Sequence, residues 1–358
     1  MGPLNALPKA VGKKGGQRRL QRGVDDGRYA ELLLRPDERD PTDIGNARKK
    51  AFFRSCAGPG ASGIFSVLLG REDDDFRALS AGHSVSNEAF RHAIELQTHT
   101  VLTERVGLPP ICVCGAELDV RGLHLISCNS AGTRTARHNK INQTLSCVYK
   151  AIGIAAEEES EDKYPGKGTR PDNVLARFGG KEVHVDVVVA KSIPDQAAGL
   201  RRCAVRDGQA ARRVEAVKRG KYDRAGIGDL PNTVLLPFAV EDAGRFGGAA
   251  RKHIHDLAAY ATRVGVCEPW FFYSAYVPQL NAALMEGNVL HARTVRRNIL
   301  DALPGIAGEN IDAWAGGPPA WFVNADGPMG MMDAFAAEEE EEEVEEEDDD
   351  DEEGPWGV

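Results

Sequence analysis

The spacing of apolar positions changes period several times along the middle of this 358-residue chain. In HNKINQTLSCVYKAIGI, Ile141, Leu145, Val148 and Ile152 recur at three- to four-residue intervals, the pattern of an amphipathic helix. Segments near 154–159, 173–178 and 182–190 read as strands. The last, within KEVHVDVVVAK, alternates and then turns continuously apolar, as a central strand does. From Ala197 to about Tyr222 the helical period returns, with Leu200, Ala204, Ala211 and Val214 on one side. NTVLLPFAVE reads as a further strand, and Pro237 places it at a sheet edge or near a strand end, because proline cannot donate to a ladder. ARKHIHDLAAYATRVG then reads as a helix. The expected order is helix, three strands, helix, strand, helix, an α/β arrangement.

Outside this centre the pattern is helical or absent. Residues 1–48, rich in Gly, Pro, Lys, Arg and Asp, read as a flexible basic leader. A helical module is expected over 49–108: AFFRSCAGPGASGIFSVLL turns at Gly-Pro-Gly, and SVSNEAFRHAIELQTHTVLTERVGL opens with a Ser/Asn start signal. WFFYSAYVPQLNAALMEG and NVLHARTVRRNILDAL read as two helices, or as one broken at Pro278. The expected divisions are a leader over 1–48, a helical module over 49–108, a Cys/His segment over 109–132, an α/β domain over 133–265, a helical extension over 266–330 and an acidic tail over 331–358.

Charge alters this picture at one end. The net charge is −10, but residues 338–353 hold fifteen Asp and Glu; taking those fifteen away leaves the remainder at +5. A run of like charges repels itself and buries no apolar surface, so the tail is expected to be disordered, either as a solubilising segment or as a competitor of nucleic acid for the basic body. The longest apolar runs fall short of a membrane span, and the N-terminus lacks the apolar core of a secretory signal. Seven cysteines without such a signal point to reduced thiols, hence to a nuclear or cytoplasmic and non-secreted protein.

Two clusters carry chemistry. Cys112, Cys114, His124 and Cys128 follow the spacing C-x-C-x9-H-x3-C. Gly115 permits the tight turn that lets two thiolates one residue apart grip one ion, and His124 and Cys128 share one face of a helical turn. Four thiolate and imidazole ligands suit tetrahedral zinc in a closed, structural site; Cys147, on the following helix, reads as core. The second cluster lies in RPDN and HVDVVVAKS. Asp172 opens one strand and Asp186 lies inside the next, so a hairpin through FGGK would bring the carboxylates together. Two adjacent carboxylates repel unless a cation lies between them, and oxygen ligands favour Mg²⁺ or Mn²⁺. A third carboxylate could come from Glu157, Glu158 or Glu159.

These motifs occur in one order: SCAGPGASGIF, NEAFRHAIELQ, CVCGAELDVRGLHLISC, RHN, AAEEE, RPD, VDVVV, KRGKY and PFAVEDAGRFGGAA. In that series the chain from about Ser55 to Ala250 resembles the C-terminal region of reverse transcriptases from non-long-terminal-repeat retrotransposons. That region joins a knuckle of three Cys and one His to a restriction-like endonuclease of the PD-(D/E)-x-K superfamily, whose core runs helix, three strands, helix, strand. The resemblance implies that Cys112, Cys114, His124 and Cys128 are zinc ligands and that Arg137 and His138 lie near the scissile phosphate. It makes Asp172 and Asp186 metal-binding carboxylates, with Glu158 as third acid, although three glutamates here replace the family's Glu-Pro. The lysine expected two residues after the second acid is Val188. The family's Lys-x-x-Lys-Tyr is matched by Lys218, Lys221 and Tyr222, with Lys218 preferred for the active centre, Lys221 as phosphate contact or reserve, and Lys191 as a weaker alternative.

The implied activity is metal-dependent hydrolysis of DNA phosphodiesters, with structural zinc, catalytic Mg²⁺ or Mn²⁺, and DNA as partner; RNA binding is left open. No Tyr/Phe-x-Asp-Asp signature occurs, so an endonuclease region without its polymerase is expected. The competing expectation is a catalytically silent nucleic-acid-binding or interaction protein on the same scaffold. A third is a nuclease of branched DNA, which would act as a homodimer.

Overall fold

The computed structural model describes residues 42–56, 86–97, 101–129, 132–158 and 169–302. The expected leader up to residue 41, the Gly-Pro-Gly turn, Glu159, the extension beyond 302 and the acidic tail lie outside the described residues.

The first helix, α1 (Asp43–Cys56), begins inside the stretch assigned to the leader. Thr42 sets its start, since its Oγ1 accepts the Gly45 N–H at 2.9 Å. α2 (Asn87–Gln97) starts as its Ser/Asn signal predicts, with Ser86 Oγ accepting the Ala89 N–H at 3.1 Å. Then follow α3 (Arg134–Ala151), β1 (Ala156–Glu158), β2 (Asn173–Phe178) and β3 (Lys181–Ala190). The helical stretch after β3 is two helices, α4 (Ala197–Val205) and α5 (Gln209–Arg224), where one was expected. Gly208 separates them in the left-handed region at φ +69°, a conformation that its lack of a Cβ makes cheap. β4 (Thr233–Glu241), α6 (Gly248–Arg263) and α7 (Pro269–Asp301) complete the order. α7 is one helix of 33 residues with Pro278 inside it; the lost backbone donor is one among many bonds. Although long, it is not apolar enough to span a membrane, and neither is any other described helix.

The fold is α/β. Its sheet is mixed, in the order β1-β2-β3-β4, with β1, β2 and β3 antiparallel and β3 parallel to β4. Gly179 and Gly180, at φ +61° and +81°, make the two-residue turn between β2 and β3. β4 is an edge strand, where Pro237 is tolerated opposite Asp186. The apolar face of α3, with Ile141, Leu145, Val148 and Ile152, is buried. Cys147 departs from its core assignment: it lies exposed on the outer side of α3, one position off that stripe. Further core comes from Val174 and Leu175 on β2, Val185 and Val187 on β3, Phe238 to Val240 on β4, and Ile254, Leu257 and Ala258 on α6.

Two buried glutamates hold helix starts. Glu241, ending β4, accepts the Ala211 N–H of α5 at 3.2 Å, and Glu215 accepts the Ala249 N–H of α6 at 3.2 Å. A Cβ at Gly247 would meet Glu215 Oε1, so only glycine lets that carboxylate reach the helix.

The compact units do not follow linear divisions of the chain. Described residues within Met1–Thr100 and Thr133–His291 form one unit, and those within Val101–Gly132 and Ala292–Val358 form another. In the first, Ala51 of α1 packs in one apolar cluster with Ala190, Leu200, Cys203 and Ala210. In the second, Arg296 Nη1 donates to the carbonyls of Glu104 and Val106, each at 2.6 Å.

Candidate functional site

The Cys/His segment is a small hairpin followed by a short 3-10 turn. Ile111 bridges to Glu117, Cys112 N–H donates to Ala116 O at 2.9 Å, and Gly115 N–H donates to Cys112 O at 2.9 Å. Gly115 makes this turn at φ +81° and so brings the two thiols to one side. The 3-10 turn Leu123–Ile126 carries His124, and Asp119 Oδ2 accepts the His124 N–H at 2.8 Å, fixing where the turn begins. Cys112 Sγ lies 3.6 Å from Cys128 Sγ, and Cys114 Sγ lies 3.2 Å from His124 Nε2. Sulfurs held about 2.3 Å from one ion in a tetrahedron are spaced by roughly 3.8 Å, close to the Cys112–Cys128 separation. The four ligand atoms lie within 4.8 Å of one another, and the cluster could bind a metal such as zinc. Hydrogen bonds with the thiols of Cys114 and Cys128, together with burial, hold the Cys112 thiol protonated well beyond its ordinary range. Burial disfavours the His124 cation, but its bonds to Cys114 and Cys128 outweigh that and push it up to about 9. Cation binding to thiols and imidazoles displaces their protons.

The second cluster is assembled by α3, the β2–β3 hairpin and α5. Asp172 immediately precedes β2. Its N–H donates to Val185 O at 2.9 Å and its Oδ2 accepts the Val187 N–H at 2.6 Å, so the carboxylate is fastened beside β3. Asp186 lies within β3, only 4% exposed. Lys218 Nζ on α5 donates to both Asp186 oxygens, at 2.8 and 3.0 Å. One turn later Tyr222 is fully buried, and its side chain acts to lower the proton affinity of Asp186. On α3, His138 Nε2 lies 3.0 Å from Asp172 Oδ2. Ligand atoms of His138, Asp172 and Asp186 fall within 4.8 Å of one another. Burial raises the proton affinity of Asp186; Lys218 opposes that, while the charge of Asp172 adds to it. Burial disfavours the His138 cation, but the hydrogen bond and charge of Asp172 prevail and raise its pKa.

Four expected residues therefore meet: His138, Asp172, Asp186 and Lys218, with Tyr222 behind them. Others are placed elsewhere. Glu158 is an exposed residue of β1 whose Oε1 lies 3.4 Å from Lys150 Nζ, and it is outside the carboxylate group. Glu157 is also exposed. Lys221 is exposed on α5, and Lys191 pairs with Asp195 at the end of β3. Arg137 corrects the expected phosphate contact. It is 3% exposed and donates from Nη1 to Asn288 Oδ1 at 2.8 Å, because consecutive residues of a helix point about 100° apart.

Several supporting residues escaped the sequence reading. Asn173 Oδ1 accepts from Ser146 Oγ at 2.9 Å, and its amide donates to Asn142 Oδ1, so the residue next to Asp172 is pinned to α3. The signal available was three amide and hydroxyl groups on otherwise apolar faces, which become legible only once they are seen buried together.

No protein-family model matches the chain, and no curated protein matches it with significance.

Proposed function

We propose that His138, Asp172, Asp186 and Lys218 form the active centre of a divalent-metal-dependent DNA endonuclease on a restriction-endonuclease-like core, with Cys112, Cys114, His124 and Cys128 as a structural zinc knuckle. The observation carrying this reading is the meeting of two carboxylates, one just before β2 and one within β3, with a lysine from α5. Asp172 and Asp186 offer hard oxygen donors to a common space, and a divalent cation there would relieve their repulsion, so the donor set fits Mg²⁺ or Mn²⁺. Such an ion polarises a phosphoryl oxygen and acidifies its bound water. Lys218, already charged against Asp186, is placed to stabilise negative charge growing on the phosphate. His138 orients the Asp172 carboxylate through Nε2 and can hold a proton at that atom. The knuckle's four ligands complete a tetrahedron and leave no open position, so its role is to hold structure and not to react.

Cleavage of supercoiled plasmid DNA in Mg²⁺ or Mn²⁺ tests the reading. Wild type should nick the plasmid and Asp172→Ala should not. One observation favours a second reading: neither Glu157 nor Glu158 joins the cluster, so among the described residues, which do not include Glu159, two acids stand where the resemblance implies three. If wild type binds DNA in a gel shift but never nicks it, the scaffold is a silent nucleic-acid-binding one.

A further inference from the structure

Arg137 is charged, buried and adjacent to a residue of the proposed centre, yet it faces away from it. We infer that Arg137 is a positioning residue that sets His138 against Asp172 through Asn288, Gly287 and Asp242 and does not itself touch substrate; this rests on the cluster being a reaction centre.

The geometry runs through three elements. Arg137 Nη1 donates to Asn288 Oδ1 of α7 at 2.8 Å, and Asn288 Nδ2 donates to the Asp242 carbonyl at 2.8 Å. The Asp242 N–H donates to Ala190 O at 2.9 Å, and its Oδ1 accepts the Ser192 N–H at 3.2 Å. Ala190 ends β3, the strand that carries Asp186. The chain of bonds therefore starts beside His138 and finishes on the strand of the second carboxylate. Burial weighs against the Arg137 cation and lowers its pKa to about 10, and the attraction of the buried Asp242 carboxylate offsets part of that cost. Close packing adds a mechanical constraint. A Cβ built on Gly287 would lie 2.6 Å from Arg137 Cγ, 2.9 Å from its Cβ and 3.0 Å from its Cα, so α7 and α3 touch backbone to backbone only because residue 287 is glycine. Near the start of α3, Thr133 Oγ1 lies 2.7 Å from His291 Nδ1. Anchored at Thr133 and Arg137, α3 cannot turn about its axis, and the direction of His138 follows.

A phosphate contact would need Arg137 at the surface. An apolar residue of similar volume would fill the site without the cost of a buried charge. A guanidinium with fixed donor directions instead specifies the rotation of the helix.

The test has two arms on the full chain. In the first, without DNA and without added Mg²⁺ or Mn²⁺, ¹⁵N-histidine labelling follows the ring nitrogen resonance of His138, assigned by its loss in His138→Gln. Asn288→Ala and Gly287→Ala, each with a cooperative thermal melt, should shift or broaden that resonance. Gly287→Ala removes no polar group and so guards against loss of the fold through an unpaired charge. An unchanged resonance in both variants overturns the inference. In the second arm, Asn288→Ala should slow plasmid nicking on the order of 10- to 100-fold, as small misplacements of reacting groups do. DNA affinity and its salt slope should stay within about twofold of wild type, since no phosphate contact is lost. In a His138→Gln background the same substitution should cost nothing further, because both changes act through one imidazole. Additive losses, or weaker DNA binding with a shallower salt slope, overturn the inference. The two failures are separable: an inactive wild type sinks the reaction-centre reading, whereas the resonance decides the placement of His138 without any activity.

Discussion

Asp186 is where opposing forces on single residues are concentrated. Its carboxylate is buried beside a second one, and Lys218 compensates it by spanning both oxygens. Replacing Lys218 with Met keeps the bulk of the side chain and deletes the charge. The variant should lose stability by about 1–3 kcal/mol, less than for a fully buried pair because Lys218 is partly exposed. If the proposed centre is active, nicking should fall on the order of 10²-fold, with DNA affinity close to wild type. Urea unfolding and plasmid cleavage read the two effects separately, and unchanged cleavage would remove Lys218 from the centre. At this scale the sequence was informative where side-chain chemistry and spacing sufficed, as for Asp172, Asp186 and the Lys218–Tyr222 pair. It was silent on which neighbour on a helix faces the site. Arg137 and His138 are adjacent in sequence, and about 100° of helical rotation sends one to the core and the other to Asp172.

Between elements, the contact of α3 with α6 ties stability to pH. Tyr149 Oη lies 2.9 Å from His253 Nε2, and both residues are buried. Phe178 and Phe238 stack edge-on against the same imidazole. Burial and nearby Lys252 depress the His253 pKa to about 3, whereas the unfolded value is about 6.5. Between those values the unfolded chain binds one proton more than the folded chain, so stability falls as pH falls through that window. The slope from this group is at most about 1.4 kcal/mol per pH unit. His253→Gln should be less stable at pH 7 yet flatter between pH 7 and 5 when unfolding is followed in urea. Parallel slopes for wild type and variant would show that His253 does not set the acid limb. Strands were legible at this scale because period-two patterns and β-branched runs survive without knowledge of partners. The break at Gly208 was not, because apolar periodicity continues across it; nor was the continuity of α7 through Pro278, which neighbouring helical bonds outvote.

The whole molecule divides into units that interleave along the chain, and the smaller one contains the Cys/His cluster. Its segment 101–129 buries Leu102, Leu118, Leu125 and Ile126, and metal binding would add to that small core. Purified protein should hold about one equivalent of zinc by elemental analysis. Chelation should then abolish hydrogen-exchange protection over 101–129 while β2 and β3 stay protected; protection that survives chelation would remove zinc from the fold. The sequence by itself determined the α/β class, the strand positions, the knuckle spacing and the pair of aspartates. Each of these depends on local periodicity, or on residue types whose chemistry does not change with context. Tertiary structure alone decided that Glu158 stays at the surface with Lys150, that Asn173 is pinned to α3, and that Arg137 serves Asn288. Those outcomes depend on which distant segments meet and at what helical rotation. A linear pattern leaves both undetermined, because burial and pairing energies are set only when the elements pack.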